Sequence, residues 1–454
     1  MAKVKKAKIA IEDILLPIDE HPYEIPQNWC WVKHNGVLDI SGGSQPAKSY
    51  FISEPTEGYI KLYQTRDYGD NPVPVYIPEK YATKTTLEGE ILLARYGGSL
   101  GKVFRAHEGA YNVALAKVIK LYPDLIDDEY LYKYYFTQFY QDFCVKASKG
   151  RSAQAGFNRD DMNNIPFPLP PLAEQRRIVE QIESLFSKLD EAKEKALSVV
   201  ESFESRKIAI LNNAFNGLYS TDWREKHHCT LDDWRDRKIN EICIPRAGFA
   251  FDSKKFTESG IQIIRMGNLY AGKLNLSRSP VFYDISDVDD NIIKRSMVHD
   301  GDILLTLTGT KYKRDYGYAV CIEGEHELLV NQRILCLSPT EKIDKEYLLY
   351  YLRSEIFRDI FFSNETGGVN QGNVSSKFVE NIEIKLPSIE EQKEISKILK
   401  NILTKEEQAK ELAEFVIEQI ELMKKSILAK AFRGELGTNI ATEESAIELL
   451  KSIL

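Results

Sequence analysis

Long apolar runs are missing from this chain of 454 residues. No run reaches the roughly 18 apolar residues of a transmembrane helix, so no membrane span is predicted. Cysteine is scarce: the six cysteines lie scattered without a CxxC pair, which argues against a disulfide framework or a structural zinc site. The basic N-terminus lacks the apolar segment and cleavage site of a signal peptide. We therefore expect a cytoplasmic protein with no membrane partner.

The motifs of DNA-modifying and ATP-using enzymes are missing too. An adenine methyltransferase would need an Asn/Asp-Pro-Pro-Tyr/Phe motif, and the nearest strings, which begin at Asn71 and Asn164, lack the paired prolines. No GxxxxGK(S/T) loop is present to bind ATP phosphates. Acidic pairs such as Asp160 and Asp161 are typical of turns and helix caps. We predict no catalytic residue, no metal site and no cofactor in this chain, with an enzyme whose catalytic residues are hidden in variable segments as the weaker alternative.

Basic residues do not outnumber acidic ones. The 60 Lys and Arg against 68 Asp and Glu give a formal net charge of −8. Taken alone, this charge counts against a nucleic-acid partner. It constrains only the sum, because a local basic groove can coexist with an acidic exterior.

The sequence does contain an internal repeat at an offset of 217 residues. Residues 164–217 align with residues 381–434 without a gap, and 21 of the 54 aligned positions are identical. Chance would give about three or four identities at ordinary residue usage. Both copies begin with Leu-Pro and Glu-Gln and end with Ala-Phe and Gly. One supersecondary unit is therefore used twice.

Each copy predicts a long helix, over residues 172–215 and 389–432. Apolar residues recur at alternating steps of four and three, which is the heptad seam of a coiled coil, and only Glu406 breaks the pattern. We expect the two helices to pair within one chain, with pairing to another subunit as the alternative. The predicted seam consists of Ile178, Ile182, Leu185, Leu189, Val199, Phe203, Ile395, Leu399, Ile402, Val416 and Ile420.

The helix ends carry their own signals. Ser388 with Glu391 predicts a capping box at the start of the second helix, and Gly217 and Gly434 predict the two ends. The tail beyond the second helix predicts a short amphipathic helix capped by Thr442. Its apolar face is expected to pack on the helix pair of the same chain.

Strand-like runs and Gly-rich turns precede each helix. Gly89 corresponds to Gly301 at an offset of 212, whereas Tyr130 corresponds to Tyr347 at 217, so loops of different length lie between them. We predict an α+β fold: two mixed α/β domains separated by two long antiparallel helices, which form an intramolecular coiled coil in a pseudo-twofold repeat. The expected segments are 1–23 (N-terminal), 24–165 (first domain), 166–220 (central helix), 221–385 (linker and second domain), 386–436 (C-terminal helix) and 437–454 (amphipathic tail).

Several short segments carry a resemblance to a known family. They are Ile-Pro-Gln-Asn-Trp at 25–29, the helix-start motifs at 169–175 and 386–392, the helix-end motifs at 214–218 and 431–436, and Asp-Trp-Arg at 222–224. With them the chain resembles the specificity subunit of type I restriction-modification systems over nearly its whole length.

The resemblance implies a non-catalytic subunit that binds double-stranded DNA. Two target-recognition domains would each read one half of a split, asymmetric site, and the helices would fix the spacer between the halves. The helices would also bind two modification subunits, which carry S-adenosylmethionine and methylate adenine. Two ATP- and Mg-dependent restriction subunits would add DNA translocation and cleavage. The tail would close a ring with the N-terminal segment or contact a modification subunit.

Polar, Gly-rich loops are the candidate DNA contacts, because Arg, Lys, Gln and Asn can bond base edges and phosphates. Glycine with Ser or Asn also marks turns in any protein. A coiled-coil scaffold protein without DNA readout therefore remains the alternative function. The candidates are Ser44, Gln45, Gln64, Arg66, Arg95, Ser99, Lys102, Lys149, Arg151, Gln154, Asn158, Arg265, Asn268, Thr310, Lys311, Lys313, Arg314, Gln332, Arg333, Asn370, Gln371 and Asn373.

Overall fold

The computed structural model describes residues 10–149, 156–163, 165–286, 288–324, 326–368 and 370–454. The chain divides into two compact units: unit 1 comprises Met1–Ala196 and Phe415–Leu454, and unit 2 comprises Leu197–Glu414. Within the described residues, every helix is too short or too polar to cross a membrane, and no group of three or more His, Cys, Asp or Glu could hold a metal ion.

Unit 1 contains mostly short strands before its long helix. Its elements up to that helix are α1 Ile11–Ile14, β1 Cys30–Lys33, α2 His34–Val37, β2 Leu38–Gly42, β3 Tyr59–Tyr63, β4 Tyr76–Pro78, β5 Thr85–Thr86, β6 Ile91–Ala94, β7 Val103–Arg105, β8 Gly109–Tyr111, β9 Leu115–Lys120, α3 Asp128–Tyr134, α4 Gln138–Lys149, β10 Pro166–Leu169 and α5 Leu172–Glu201.

Unit 2 repeats this order with some additions. Its elements are α6 Phe203–Phe215, α7 Thr221–His227, β11 Arg235–Lys238, α8 Ile239–Ile242, β12 Cys243–Ala247, β13 Phe256–Thr257, β14 Ile261–Ile264, β15 Phe282–Tyr283, α9 Asp290–Ser296, β16 Ile303–Thr306, β17 Thr308–Gly309, β18 Ala319–Cys321, β19 Leu328–Val330, β20 Ile334–Pro339, α10 Lys345–Arg353, α11 Glu355–Ser363, β21 Gly372–Asn373, α12 Ser376–Glu380, β22 Glu383–Leu386 and the first part of α13 Ile389–Ala431. The last part of α13 and the tail helix α14 Ala446–Ile453 belong to unit 1.

The two units share one sheet topology. Unit 1 has an antiparallel sheet in the order β2-β9-β6-β7, and unit 2 has its counterpart in the order β12-β20-β16-β18. Each unit has a second four-stranded sheet containing one parallel pair, β3 with β8 or β14 with β19. A two-stranded ladder, β1 with β10 or β11 with β22, joins the start of each domain to the strand before the long helix.

Helix segments pack in antiparallel fashion within each unit. In unit 1, Lys193 of α5 forms an ion pair with Glu421 of α13 at 2.5 Å, and Asp190 pairs with Lys424. In unit 2, Arg206 of α6 reaches Glu406 of α13 at 2.7 Å. The predicted intrachain pairing is therefore confirmed. Glu406 breaks the apolar seam because an arginine on the facing helix is its partner.

The seam side chains are enclosed to different degrees. Ile178, Ile182, Ile395 and Leu399, near the helix starts, are fully buried and belong to the hydrophobic cores of the domains. Phe203 and Ile420 are buried as well. The remaining seam side chains are half-buried, namely Leu185, Leu189, Val199, Ile402 and Val416.

The first predicted helix is interrupted once. α5 ends at Glu201 and α6 begins at Phe203. The Ser202 hydroxyl donates to the Ser198 carbonyl one turn earlier. Such a bond competes with the backbone ladder and bends a helix, and the sequence pattern does not reveal it.

The helix ends agree with the sequence signals in part. Gly217 and Gly434 adopt left-handed φ values of 77° and 75°, as helix-ending glycines do. The Ser388 hydroxyl accepts the Glu391 N–H at 3.3 Å, but the Glu391 carboxylate binds other side chains and does not complete a capping box. The tail helix begins at Ala446 with Ser445 as its cap, so the prediction of Thr442 was wrong.

The Glu-Gln pair of each helix-start motif fastens its helix to the domain. In unit 1, the Gln175 side chain accepts the Asp127 N–H at 2.8 Å and donates to the Pro170 carbonyl at 3.0 Å. In unit 2, Gln392 makes the same bonds with Asp344 and Pro387. The repeated dipeptide is thus a backbone clamp, since a buried amide must be hydrogen bonded.

The Phe of each helix-end motif closes a domain core. Phe432 packs on Tyr130 and Tyr134 in unit 1, with ring centroids 4.8 and 5.9 Å apart. In unit 2, Phe215 lies 5.2 Å from Tyr347 and 5.4 Å from the following ring, that of Tyr351. Each unit therefore combines the start of one long helix with the end of the other.

In unit 1 the tail is held by α5 and by a segment near the start of the first domain. The Ala446 N–H donates to the Asn28 carbonyl at 2.9 Å, and Asn439 donates to the Asn28 side chain at 2.7 Å. Arg177 holds the tail through two bonds to Glu443 at 2.8 and 2.7 Å. Of the interpretations of the tail, packing on the helix pair of the same chain is the one these bonds show, and the tail also contacts Asn28 near the start of the first domain.

Candidate nucleic-acid interface

Two adjoining open clefts in unit 2 collect polar side chains from six separate segments. The larger has a volume of about 570 Å³ and the smaller about 300 Å³, and they share Met266, Gly267, Arg278 and Arg333. The sequence candidates in their walls are Arg265, Asn268, Thr310, Gln332, Arg333 and Gln371. Residues far apart in the chain thus meet at one surface.

The side chains around the clefts are not equivalent. Arg333 and Gln332 are exposed on the turn between β19 and β20. Arg265 donates to the Ser279 carbonyl at 2.7 Å, which orients its guanidinium. Asn268 is buried and bonds the Asn275 and Arg278 carbonyls, both at 2.9 Å, so it holds its own loop together.

Arg278 is a cleft residue that sequence reasoning missed. It is exposed, lines both clefts, and lies 5.4 Å from the Tyr270 ring centroid in a cation–π contact. Its segment has no Gly-rich pattern, so the sequence did not identify Arg278 as a candidate. An arginine resting on an aromatic ring in an open cleft retains donors for a phosphate or a base edge.

The basic cluster at 311–314 is divided by the fold. The Arg314 guanidinium pairs with Glu355 at 2.8 Å and Asp359 at 2.9 Å, so its charge is already matched. Lys311 donates to the Gly367 carbonyl at 3.1 Å, and Lys313 is exposed. The cluster therefore offers two cations to a ligand, and Arg314 braces the loop.

The segment before α12 contributes a second polar edge. Asn370 and Gln371 are exposed, whereas the Asn373 side chain accepts the Thr308 hydroxyl at 3.0 Å. A Cβ at the intervening Gly372 would lie 2.4 Å from Glu365 Oε1, so any larger residue there would displace that carboxylate. On the facing strand, the Thr310 N–H is bound by a neighbouring carboxylate, that of Asp315, at 2.7 Å.

The turn at Gln64 in unit 1 is closed in the same way as the turn at Arg265 in unit 2. The Gln64 N–H donates to Asp67 at 2.7 Å, as the Arg265 N–H donates to Asn268 at 2.8 Å. Arg66 points its exposed side chain out of this turn and has no ion-pair partner among the described residues. Gln64 Nε2 is buried without a hydrogen-bond partner in that part of the chain, so the fold turns this amide inward.

Most of the other unit 1 candidates either form hydrogen bonds within the domain or are exposed to solvent. Arg95 donates to the Val113 carbonyl at 2.9 Å and lies over the Tyr96 ring at 4.7 Å. Asn158 accepts the Asp161 N–H at 3.0 Å, and Ser44 bonds a threonine hydroxyl at 2.8 Å. Ser99 is half-buried, and Gln45, Lys102 and Lys149 are exposed. Arg151 and Gln154 lie outside the described residues.

Buried thiols are poor nucleophiles here. Burial raises the pKa of Cys30 and of Cys243 to about 12, and that of Cys144 to about 11. These groups stay protonated at neutral pH, and the thiolate is the reactive form of cysteine.

A family model for the type I restriction modification DNA specificity domain matches this chain twice, over residues 26–201 and 231–415. The two matches cover most of the sequence and coincide with the two structural repeats. This chain belongs to the type I restriction modification DNA specificity family. The predicted resemblance is thereby confirmed.

Individual relatives agree over nearly the full length. The type I restriction enzyme MjaVIII specificity subunit of Methanocaldococcus jannaschii is 24% identical over 92% of this chain and 95% of its own. The EcoKI specificity subunit of Escherichia coli is 23% identical over 95% of this chain and 96% of its own.

Solved structures of this family share the fold. A chain from a structure of a type I R-M system has a TM-score of 0.67 at 19% identity, with coverage of 91% of this chain and 100% of that one. The HsdS subunit from Thermoanaerobacter tengcongensis has a TM-score of 0.62 at 20% identity, with coverage of 92% and 100%. The predicted architecture of mixed α/β domains with long paired helices is confirmed.

Proposed function

We propose that this chain is the sequence-specific DNA-binding subunit of a type I restriction-modification enzyme. Each unit reads one half of a bipartite target. The observation that carries the proposal is one scaffold, used twice, with different polar side chains in equivalent loops. Two such readers in one chain explain an asymmetric site, because each half-site meets a different set of donors and acceptors.

The unit 2 clefts supply the chemistry for reading DNA. Arg278 and Arg333 can bond guanine edges or phosphates, and Gln332 and Gln371 can bond adenine edges. Several loops converge on these clefts, so a base sequence can be tested at several positions at once. This local surface also reconciles DNA binding with the net charge of −8, since three arginines and one acidic residue, Asp315, line the two clefts.

The long helices set the spacer and bind the modification subunits. In unit 1, α13 leaves Phe415, Leu422 and Met423 exposed at 55%, 53% and 48%. Phe415 and Leu422 lie seven residues apart on one face of the helix, and Met423 borders that face. An exposed apolar stripe of this kind marks a protein contact. Two modification subunits occupy the chain's two repeats, and two restriction subunits join the complex.

The partner subunits carry out the methylation and cleavage reactions. The modification subunits bring S-adenosylmethionine, the restriction subunits bring ATP and Mg, and this chain acts in the cytoplasm without a cofactor or metal of its own. Its contribution is to place the partners on one DNA sequence.

Methylome sequencing tests this function. Cells carrying the chain with its modification subunit should show adenine methylation at a split motif, and deletion of the chain should abolish it. Exchange of residues 24–165 with those of a relative should change one half of the motif and leave the other half intact. Unchanged methylation after deletion would instead favour a scaffold without DNA readout.

A further inference from the structure

The tip of the loop at residues 307–317 in unit 2 displays an aromatic ring to solvent. Tyr312 is 81% exposed, and Lys311 and Lys313 flank it. We propose that Tyr312 inserts between neighbouring base pairs of the half-site read by unit 2, while the two lysines hold the flanking phosphates. This inference rests on the proposed function, because it requires that unit 2 bind DNA.

The backbone at Tyr312 has a strained conformation. Its φ is 66°, in the left-handed region that side chains other than glycine, asparagine and aspartate rarely adopt, and Arg314 has a φ of 50°. The Glu365 carboxylate holds the strained turn by accepting the Tyr312 N–H at 3.1 Å and the Tyr316 hydroxyl at 2.7 Å. Such strain persists only where surrounding contacts enforce it, and it concentrates at functional sites.

Unit 1 shows that the scaffold does not need an aromatic ring here. The loop that follows β6 corresponds to the loop that follows β16, and it places Gly97 at a φ of 69° with open space around the Cα. Glycine gives that conformation without strain. Unit 2 instead places a tyrosine in the same region of φ, on a loop of 12 residues (307–318) where the loop of unit 1 has eight (95–102).

The surroundings of Tyr312 favour DNA as the ligand. The Lys311 ammonium lies 5.1 Å from the ring centroid and the Lys313 side chain is exposed, so two cations next to Tyr312 in the chain are available to a polyanion. Arg314 adds little to them, because acids match its charge. The same loop contributes Thr310 to the wall of the smaller cleft. A ring with adjacent cations fits a stacked base with its two phosphates.

Insertion would let unit 2 read DNA deformability. A side chain wedged into a base step unstacks it and bends the duplex, and pyrimidine–purine steps yield most easily. Such a step would be selected without a hydrogen bond to its bases.

The test uses the full chain and a duplex that carries the methylated site, with 2-aminopurine placed in turn at each position of the half-site read by unit 2. Wild-type protein should raise the fluorescence at one step, as unstacking does. Tyr312→Phe should retain that signal and bind within about twofold of wild type. Tyr312→Ala and Tyr312→Gly should lose the signal and bind roughly 5- to 100-fold more weakly.

Matched variants separate the wedge from other roles. Lys313→Ala should weaken binding but keep the fluorescence change, because the ring remains. Thermal unfolding should show Tyr312→Gly at least as stable as wild type, since the ring is exposed and glycine relieves the strained φ. If wild type binds and bends the site but Tyr312→Ala behaves identically, the wedge is wrong while the proposed function stands.

Two further results are informative. Unaltered DNA binding by Tyr312→Ala together with lost assembly with the modification subunit would assign the ring to a protein contact and overturn the wedge. Failure of the wild-type chain to bind any duplex carrying its methylated site would overturn the proposed function and the wedge together.

Discussion

The turn after β8 in unit 1 and the turn after β19 in unit 2 have the same backbone hydrogen bonds and different side chains. Asn112 begins the first and Asn331 the second, and each asparagine side chain accepts the N–H two residues later, at 3.1 and 3.3 Å. Unit 1 then presents Val113 and an alanine, whereas unit 2 presents Gln332 and Arg333. The scaffold fixes where a residue is displayed, and the sequence of each turn decides what the DNA meets.

In both units a glycine backbone lies close to the carbonyl group of the turn asparagine. A Cβ at Gly43 would lie 2.1 Å from the Asn112 carbonyl oxygen, and one at Gly248 would lie 2.2 Å from that of Asn331. Only glycine allows the end of β2 or β12 to lie so near the turn. The two units thus diverge in the exposed residues of the turn and agree in the residues beneath it.

The helix-start clamps differ in charge. In unit 2, the buried Glu391 carboxylate pairs with Arg224 at 2.8 Å, with side chains only 3% and 8% exposed. In unit 1, buried Glu174 accepts bonds from Trp29 at 2.7 Å and Asn439 at 2.8 Å, both neutral donors. Removal of one partner from a buried ion pair leaves an unmatched charge, which costs more than a lost neutral bond.

The largest effect is therefore expected for Arg224→Met. It should lower the free energy of unfolding of unit 2 by about 3–5 kcal/mol, whereas Asn439→Leu should cost unit 1 about 1–3 kcal/mol. Hydrogen exchange in β16 and β20, compared with β6 and β9, would measure the two units separately. Equal losses would show that the two clamps are energetically alike. Arg224→Met combined with Glu391→Gln should recover part of the loss.

Acid should destabilise unit 1 through His34. This side chain is fully buried against the Tyr135 hydroxyl at 2.9 Å, and burial lowers its pKa to about 4. The unfolded chain binds a proton below its ordinary pKa near 6.5 while the folded chain stays neutral, so stability falls as pH drops from about 6.5 to 4. The loss between pH 7 and pH 5 should be about 2 kcal/mol.

Unit 2 carries Ile239 at the corresponding position, at the start of α8. His34→Ile should therefore remove this part of the acid sensitivity. Hydrogen exchange of unit 1 at pH 7 and pH 5, in both forms, is the measurement. A pH dependence that survives the substitution would assign it to other groups.

The unequal turns predict a one-sided change in DNA specificity. Arg333→Ala should weaken binding by about 1–3 kcal/mol and relax discrimination in the half-site of unit 2 alone. Binding to duplexes with single base changes in each half-site would show this. The unit 1 variant for comparison is Arg66→Ala, on the turn after β3, which should affect only the other half-site. Loss of discrimination in both half-sites from either variant would contradict independent readers.

The smallest effect concerns salt. Lys313→Ala should reduce the slope of log binding constant against log salt concentration by about one unit, as for one lost phosphate contact. Arg314→Ala should change that slope less, because Glu355 and Asp359 already balance its charge. Titration of a duplex at several salt concentrations compares the two variants. Equal slopes for Arg314→Ala and Lys313→Ala would mean that the ion pairs open on DNA.

The sequence predicted where the candidate loops lie, but not which of their side chains are exposed. Asn268 and Lys313 have similar sequence surroundings of polar residues and glycine, yet one is buried in its turn and the other is exposed. Arg278 lies in a segment without a pattern, and it reaches the clefts because distant loops fold beside it. Neither outcome follows from residue type, since burial depends on contacts with residues remote in the chain.

The long helices are different, because their determinants are local. The heptad seam, the glycine that ends each helix and the repeated motifs all lie within the segment that they shape, so the sequence by itself determined two long helices and a doubled chain. Only the tertiary structure decided that Phe432 completes the core of unit 1 and Phe215 that of unit 2. Antiparallel pairing brings the end of one helix beside the start of the other, and that contact depends on residues more than 200 positions apart, which no local pattern records.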